Sequence, residues 1–168
     1  PKHRLIPLSN LYQGTAEFEG KRFAGSAQTL SEFVSAFSGH EKLDEAAYNL
    51  GLAQMELKKW DDAVKSFELV PEKSKLHDRS LYGAASSKRY AAKPGEAIPY
   101  YKALLEKHAT SSLVDEVAFQ LAEVEFEIGT EKGGNPQHVK DSVNRLMVLL
   151  KKPALNAELR RLAQYQLG

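Results

Sequence analysis

The chain has 168 residues, 42% apolar and 27% charged, the composition of a folded protein and not of a disordered one. Its 23 lysines and arginines stand against 22 aspartates and glutamates, and the net charge of +1 gives no long-range field to gather nucleic acid or anionic lipid. Cysteine is absent, which excludes disulfides, thiolate metal sites and cysteine nucleophiles. No apolar run approaches the ~18 residues needed to span a bilayer. The chain opens at Pro1 without a signal-peptide pattern, so it reads as a piece of a longer protein, with any targeting segment or lipid anchor upstream.

Taken in chain order, the first predicted hairpin covers 8–38, with Gly14 in its first helix and Ser26, Leu30 and Phe33 in its second. The next, 44–71, is the clearest. Ala47, Leu50, Gly51 and Leu57 follow helical spacing, with one lapse at Gln54. Lys58-Lys59 makes a polar turn. Trp60 then opens a helix whose inner face is Ala63, Phe67 and Val70, and Pro71 stops it because proline cannot donate the next backbone bond. The third hairpin, 78–108, carries Ala85, then Ala97, Tyr101 and Leu104, with Pro99 just inside its helix. The fourth, 113–151, carries Ala122, then Ser142, Leu146 and Leu149. Gly129–Pro136 lengthens its internal turn into an expected exposed loop, a candidate secondary contact. A terminal helix, 155–167, holds Ala163 and offers Arg160, Arg161, Gln164 and Gln166 as a polar outer face, as a cap would.

The small residues Gly14, Gly51, Ala85, Ala122 and Ala163 recur at spacings of 37, 34, 37 and 41. In the second helices a small residue is followed by a large one four positions later: Ser26 and Leu30, Ala63 and Phe67, Ala97 and Tyr101, Ser142 and Leu146. A period in the thirties with these columns marks stacked helical hairpins. Leu50-Gly51, Ala63, Phe67 and Pro71 resemble the tetratricopeptide repeat, although the family's tryptophan is replaced by Ala47 here and the first and fourth repeats are degenerate. The resemblance covers about Leu8 to Leu150. It implies an all-α fold, a right-handed α-solenoid of about four such hairpins plus a C-terminal helix, in one domain over 1–168. The segments Phe37–Gly51 and Leu105–Ala122 resemble the long-turn repeats of bacterial envelope proteins, among them the periplasmic coordinator of the Tol–Pal system and the repeat lipoprotein of the β-barrel assembly machinery. That likeness favours a periplasmic or outer-membrane-associated setting.

In such a stack the first helices line a concave groove. The position three before each small residue gives Leu11, Tyr48, Tyr82, Phe119 and Arg160. The position four after gives Phe18, Met55, Arg89 and Phe126, and adjacent turns add Tyr12, Tyr90, Asn49 and Arg79. These types are enriched in interface hot spots. The resemblance also implies a comparison with members that clamp a partner's C-terminal carboxylate. Asn49 and Arg79 fit two such positions, but Leu11 and Thr15 occupy others, which argues against the clamp.

The fourth repeat's first helix is acidic (Asp115, Glu116, Glu123, Glu125, Glu127, Glu131) and the segment after it basic (Lys140, Arg145, Lys151, Lys152, Arg160, Arg161). Attraction between neighbouring helices is the expected reason, against the alternative that Glu123 and Glu127 read basic residues on a partner. His3, His40, His77, His108 and His138 stand too far apart to converge on a metal, no phosphate-cradling glycine loop is present, and no nucleophile motif stands out. The sequence therefore reads as a non-catalytic module without cofactor or metal, binding another protein or peptide segment in its groove. The alternative is a structural protein that associates with itself through its terminal helices, motivated by Leu5-Ile6-Pro7-Leu8.

Overall fold

The computed structural model describes residues 5–168, with side chains from Pro7 onward. His3 and the side chains of Leu5 and Ile6 lie outside the described residues. Nine helices and no strand are found among those described: α1 (Leu5–Glu19), α2 (Phe23–Ala36), α3 (Leu43–Glu56), α4 (Trp60–Glu68), α5 (His77–Tyr90), α6 (Pro94–Lys107), α7 (Val114–Thr130), α8 (Pro136–Leu150) and α9 (Ala157–Leu167). The chain folds as two compact units, α1–α5 ending at Ala91 and α6–α9 beginning at Ala92. In the N-terminal unit successive helices pack on one another, and the first helices α1, α3 and α5 also lie side by side. In the C-terminal unit α7 packs against α6 and α8, and α9 packs against α8 and α7.

The small and large columns interlock. A Cβ on Gly14 would lie 2.6 Å from Leu30, and one on Gly51 would lie 2.6 Å from the Phe67 ring. The far side of the same ring is met by Gly83, where a Cβ would again come within 2.6 Å. Phe67 of α4 is thus clasped between its own first helix and the next one, a density of packing that leaves no space for an added methyl. Leu11, Leu30, Phe33, Ala46 and Leu50 form one core cluster of this unit. Phe119, Ala122, Leu146, Leu149, Leu155 and Ala163 form a core cluster of the other.

The turns repeat as faithfully as the helices. Lys21, Lys58 and Ala92 each close the first helix of a pair in the left-handed region, with φ of 57°, 57° and 56°. Before α3, α5 and α7 a side chain accepts from the backbone N–H two residues on: His40 Nδ1 from Lys42, Ser74 Oγ from Leu76, and Ser111 Oγ from Leu113. These bonds hold the entering chain where the first amides of a helix lack intrahelical partners. Polar ties then cross from one repeat to the next. Ser74 donates to Asp44 at 2.6 Å, and Lys152, one repeat after Ser111 in register, donates to Asp115. The lapse at Gln54 has the same kind of cause, because its Oε1 accepts from the buried Ser66 hydroxyl at 2.6 Å.

Opposite charge does join the helices of the fourth repeat. Glu125 of α7 is fully buried and receives two bonds of 3.1 Å from Arg145 of α8, while Lys102 of α6 stands 3.7 Å away. One carboxylate therefore ties three helices. The inserted turn contracts to residues 131–135, capped by the Asn135 side chain, which accepts from the Gln137 N–H. Gly129 belongs to α7 and is pressed against Val139.

Several expectations are corrected. Leu11, read as lining a groove, is completely buried in the core. Pro99 lies a full turn further into its helix than expected, since α6 begins at Pro94. Arg160 does not face outward: it donates to the carbonyls of Leu150 and Lys152 and so caps the C-terminal end of α8. The last helix keeps the column of small residues, Ala163 being fully buried, but one flank beside it is uncovered. Ala46/Leu50/Ala53, Ser80/Ala84/Ser87 and Val117/Leu121/Val124 are the buried stripes of α3, α5 and α7. Constant spacing would place Glu158, Leu162 and Tyr165 there in α9, yet all three are exposed and Leu159, Ala163 and Gln166 turn inward instead.

Gly51→Leu is expected to destabilise the chain by ~1–3 kcal/mol through overpacking against Phe67, measured by urea unfolding. Ser26 and Ser142 stand where the repeat favours alanine, and their buried hydroxyls have no hydrogen-bond partner. Ser26→Ala and Ser142→Ala are each expected to stabilise by about 1 kcal/mol in the same assay, because an unmet buried hydroxyl carries a desolvation cost. Arg145→Ala, which strands the buried Glu125, is expected to lose ~3–5 kcal/mol. Lys102→Ala, at a half-exposed ammonium, should change stability by no more than ~1 kcal/mol.

Candidate protein-binding face

The side-by-side α1, α3 and α5 carry most of the residues read as partner contacts. Tyr12 is 62% exposed, and Arg79 is also exposed. Tyr48, Asn49, Met55, Tyr82 and Arg89 are half-buried, each a side chain with one part packed and one part open. Tyr48 leans on Phe67, ring centroids 5.9 Å apart, so the interlocked core directly sets its orientation. Burial pushes the Tyr48 hydroxyl above the ordinary tyrosine value, with Asp78 adding to the rise and Arg79 opposing it. At neutral pH Tyr48 is thus a neutral phenol able to donate and accept.

An open cleft of about 610 Å³ lies beside Tyr48. Asn49 and Leu76 line it together with Glu41, Lys42, Asp44 and Glu45. Lys42 is held above the usual lysine range, first by its 2.9 Å bond to Glu45. Asn49 donates to Thr15 Oγ1 at 3.2 Å, joining α3 to α1 across this face.

Other expected contacts are placed elsewhere. Phe18 stacks edge-on against Phe23 at the α1–α2 turn, centroids 5.5 Å apart. Tyr90 is well exposed but leans on Trp60 of α4, centroids 5.2 Å apart. In the C-terminal unit Phe126 is partly exposed on α7. Phe119 is corrected outright: only 5% exposed, it packs in the core with Ala122, Leu146 and Leu149, so its ring is not available to a partner. α9 adds exposed apolar surface that the sequence reading had given to a polar cap, with Leu162, Tyr165 and Leu167 open to solvent. The bonding roles of Thr15 and Ser74 went unrecognised, whereas the Glu125–Arg145 pair falls within the attraction expected between the acidic and basic helices. The two hydroxyls gave no signal, because a single hydroxyl on a helix or in a turn has no periodicity of its own.

Among the described residues no group of three or more histidines, aspartates or glutamates is placed to hold a metal ion, and no helix is long and apolar enough to cross a membrane.

Residues 45–74 match the family model of the tetratricopeptide repeat. This is the stretch that holds Gly51, Ala63, Phe67 and Pro71. Among solved structures the chain is similar to a TPR repeats protein from Bacteroides fragilis, with a TM-score of 0.66 at 15% identity over 96% of this chain and 68% of that one. A second, from Bacteroides ovatus and described provisionally as a protein binding protein, gives a TM-score of 0.49 at 12% identity, covering 96% of both chains. No curated protein matches in sequence. The all-α fold of paired helices is therefore similar to that of a tetratricopeptide-repeat protein, and residues 45–74 are the stretch that matches the repeat's own family model.

The Tyr48 hydroxyl yields a pH prediction. A phenol whose folded value is raised favours the neutral form, so its contribution to stability is complete below pH 10 and is lost as pH rises through the raised value. The difference in tyrosinate absorbance between the chain and Tyr48→Phe should show one phenol ionising above the ordinary tyrosine value.

Proposed function

We propose that the chain is a non-catalytic protein-interaction module that holds a segment of another protein on the face formed by its first helices. The observation that carries this reading is the accessible row on α1, α3 and α5. Tyr12, Tyr48, Asn49 and Arg79 stand at its surface, while Leu11 and Phe67 behind them make a rigid support. Rigid aromatics with polar tips supply contact area at little entropic cost, and arginine adds directional donors. The resemblance of the two long turns to envelope repeat proteins supports a place in a bacterial envelope assembly.

Affinity capture from the source lysate with the chain and with Tyr12→Ala/Arg79→Ala tests the reading. Both residues are exposed, so the variant should keep its helical circular dichroism and melting temperature. A protein held by the chain should be lost, with each substitution costing ~1–2 kcal/mol of binding. Identical captures would overturn the assignment of this face. Phe119→Ala is the internal contrast, expected to lose ~3–5 kcal/mol of folding stability as a core truncation.

A second reading, self-association through the terminal helices, is favoured by one observation: Tyr165 is 88% exposed on α9, with Leu162 and Leu167 also open. Sedimentation over a wide concentration range decides it. A constant monomer mass dismisses the reading, and a rising mass abolished by Leu162→Glu/Tyr165→Glu supports it.

A further inference from the structure

On the reading that the chain associates with itself, the C-terminal unit carries both a helix face to be received and a groove that fits it. The open stripe of α9 is Glu158, Leu162 and Tyr165, spaced i, i+4 and i+7 on one side of the helix. The Glu158 carboxylate and the Tyr165 hydroxyl make no bond among the described residues.

An open groove of about 340 Å³ is lined by α7, α8 and the turn after α8, with no contribution from α9. Ala118 and the buried Leu149 give it an apolar floor, and Val148, 60% exposed, an apolar rim. Two ion pairs between α7 and α8 bound it, Glu125–Arg145 toward one end and Asp115–Lys152 toward the other.

The two ends differ in charge. Lys152 is matched by Asp115. Arg145 gives Glu125 only its Nε hydrogen and one from Nη2, while its Nη1 group makes no bond among the described residues and is not buried. A guanidinium bound along that side keeps a second fork of parallel N–H donors, the geometry that a carboxylate accepts. With Lys102 standing 3.7 Å from the same Glu125, two cations face one carboxylate at this end.

The groups along α9 follow the same order as those along α8. Glu158 to Tyr165 and Arg145 to Lys152 are each a step of seven residues, about 10 Å of helix rise. With Glu158 at Arg145 and Lys102, Leu162 falls over the apolar floor and the Tyr165 ring over Lys152, a cation–π arrangement. This direction also sets the positive N-terminal end of α9 toward Asp141 and its negative C-terminal end toward Lys152. The reverse direction would spend Glu158 on a lysine already matched.

We propose that the groove between the Glu125–Arg145 and Asp115–Lys152 pairs receives α9 of a second copy of this chain, seated parallel to α8. Donor face and acceptor groove are different surfaces, so the contact is heterologous and copies add head to tail.

Sedimentation velocity of the whole chain tests this with two variants at exposed positions, Leu162→Glu/Tyr165→Glu in the face and Val148→Glu in the groove. Both should keep the helical circular dichroism and melting temperature. The unaltered chain should gain mass with concentration past a dimer, while each variant alone stays monomeric. An equimolar mixture of the two joins one intact groove to one intact face and should give a 1:1 dimer that grows no further. Glu158→Lys should weaken association about 3–10-fold, the range of one net hydrogen bond. If Val148→Glu alone still associates, or the mixture forms no dimer although the unaltered chain associates, the groove is not the acceptor and self-association stands without it. A constant monomer mass for the unaltered chain would remove the inference and the self-association reading together.

Discussion

A phenylalanine ring held between two glycines organises the N-terminal unit. Phe67 reaches Gly51 on its own first helix and Gly83 on the next, so one side chain fixes both the hairpin and the contact between hairpins. Leu30 against Gly14 is the same device with a smaller knob. Because a ring lodged in a closed gap tolerates neither sliding nor rotation of the helices around it, every other residue on α3 and α5 has its direction assigned. Tyr48 takes its orientation directly from the same ring. The face proposed for partner binding is thereby mounted on packing instead of on loops.

Over this apolar frame runs a layer of polar ties with a different task. The turn acceptors His40, Ser74 and Ser111 fix where each first helix begins. The Asp44–Ser74 and Asp115–Lys152 bonds carry that position into the following turn. Such partly exposed contacts add little energy singly, but they are directional in a way that apolar packing is not. The buried Glu125 is the exception in strength. Its carboxylate is wholly removed from water and depends on Arg145 for its compensation, which makes the α6–α8 junction specific and also vulnerable. Thr15 and Asn49 add the same kind of directional tie between α1 and α3.

The amino-acid sequence by itself determined the hairpins: where they lie, which small residue meets which large one, and that opposite charges in the fourth repeat belong together. Each of these is local or periodic. A helix forms where apolar residues recur every three or four positions, and a glycine opposite a phenylalanine is visible as a fixed offset. The tertiary structure alone decided which flank of a stripe is covered. One residue turns a helix face by about 100°, so a reading correct to within a residue still cannot separate a buried flank from an open one. Leu11 and Phe119 went into the core for that reason, and Tyr12 and Phe126 stayed partly open. In α9 the same uncertainty of flank left Leu162 and Tyr165 outward and put Arg160 on the carbonyls of Leu150 and Lys152. Pairings between residues far apart in the chain, Thr15 with Asn49 and Ser74 with Asp44, depend on how two helices come to lie side by side, and no periodicity records that.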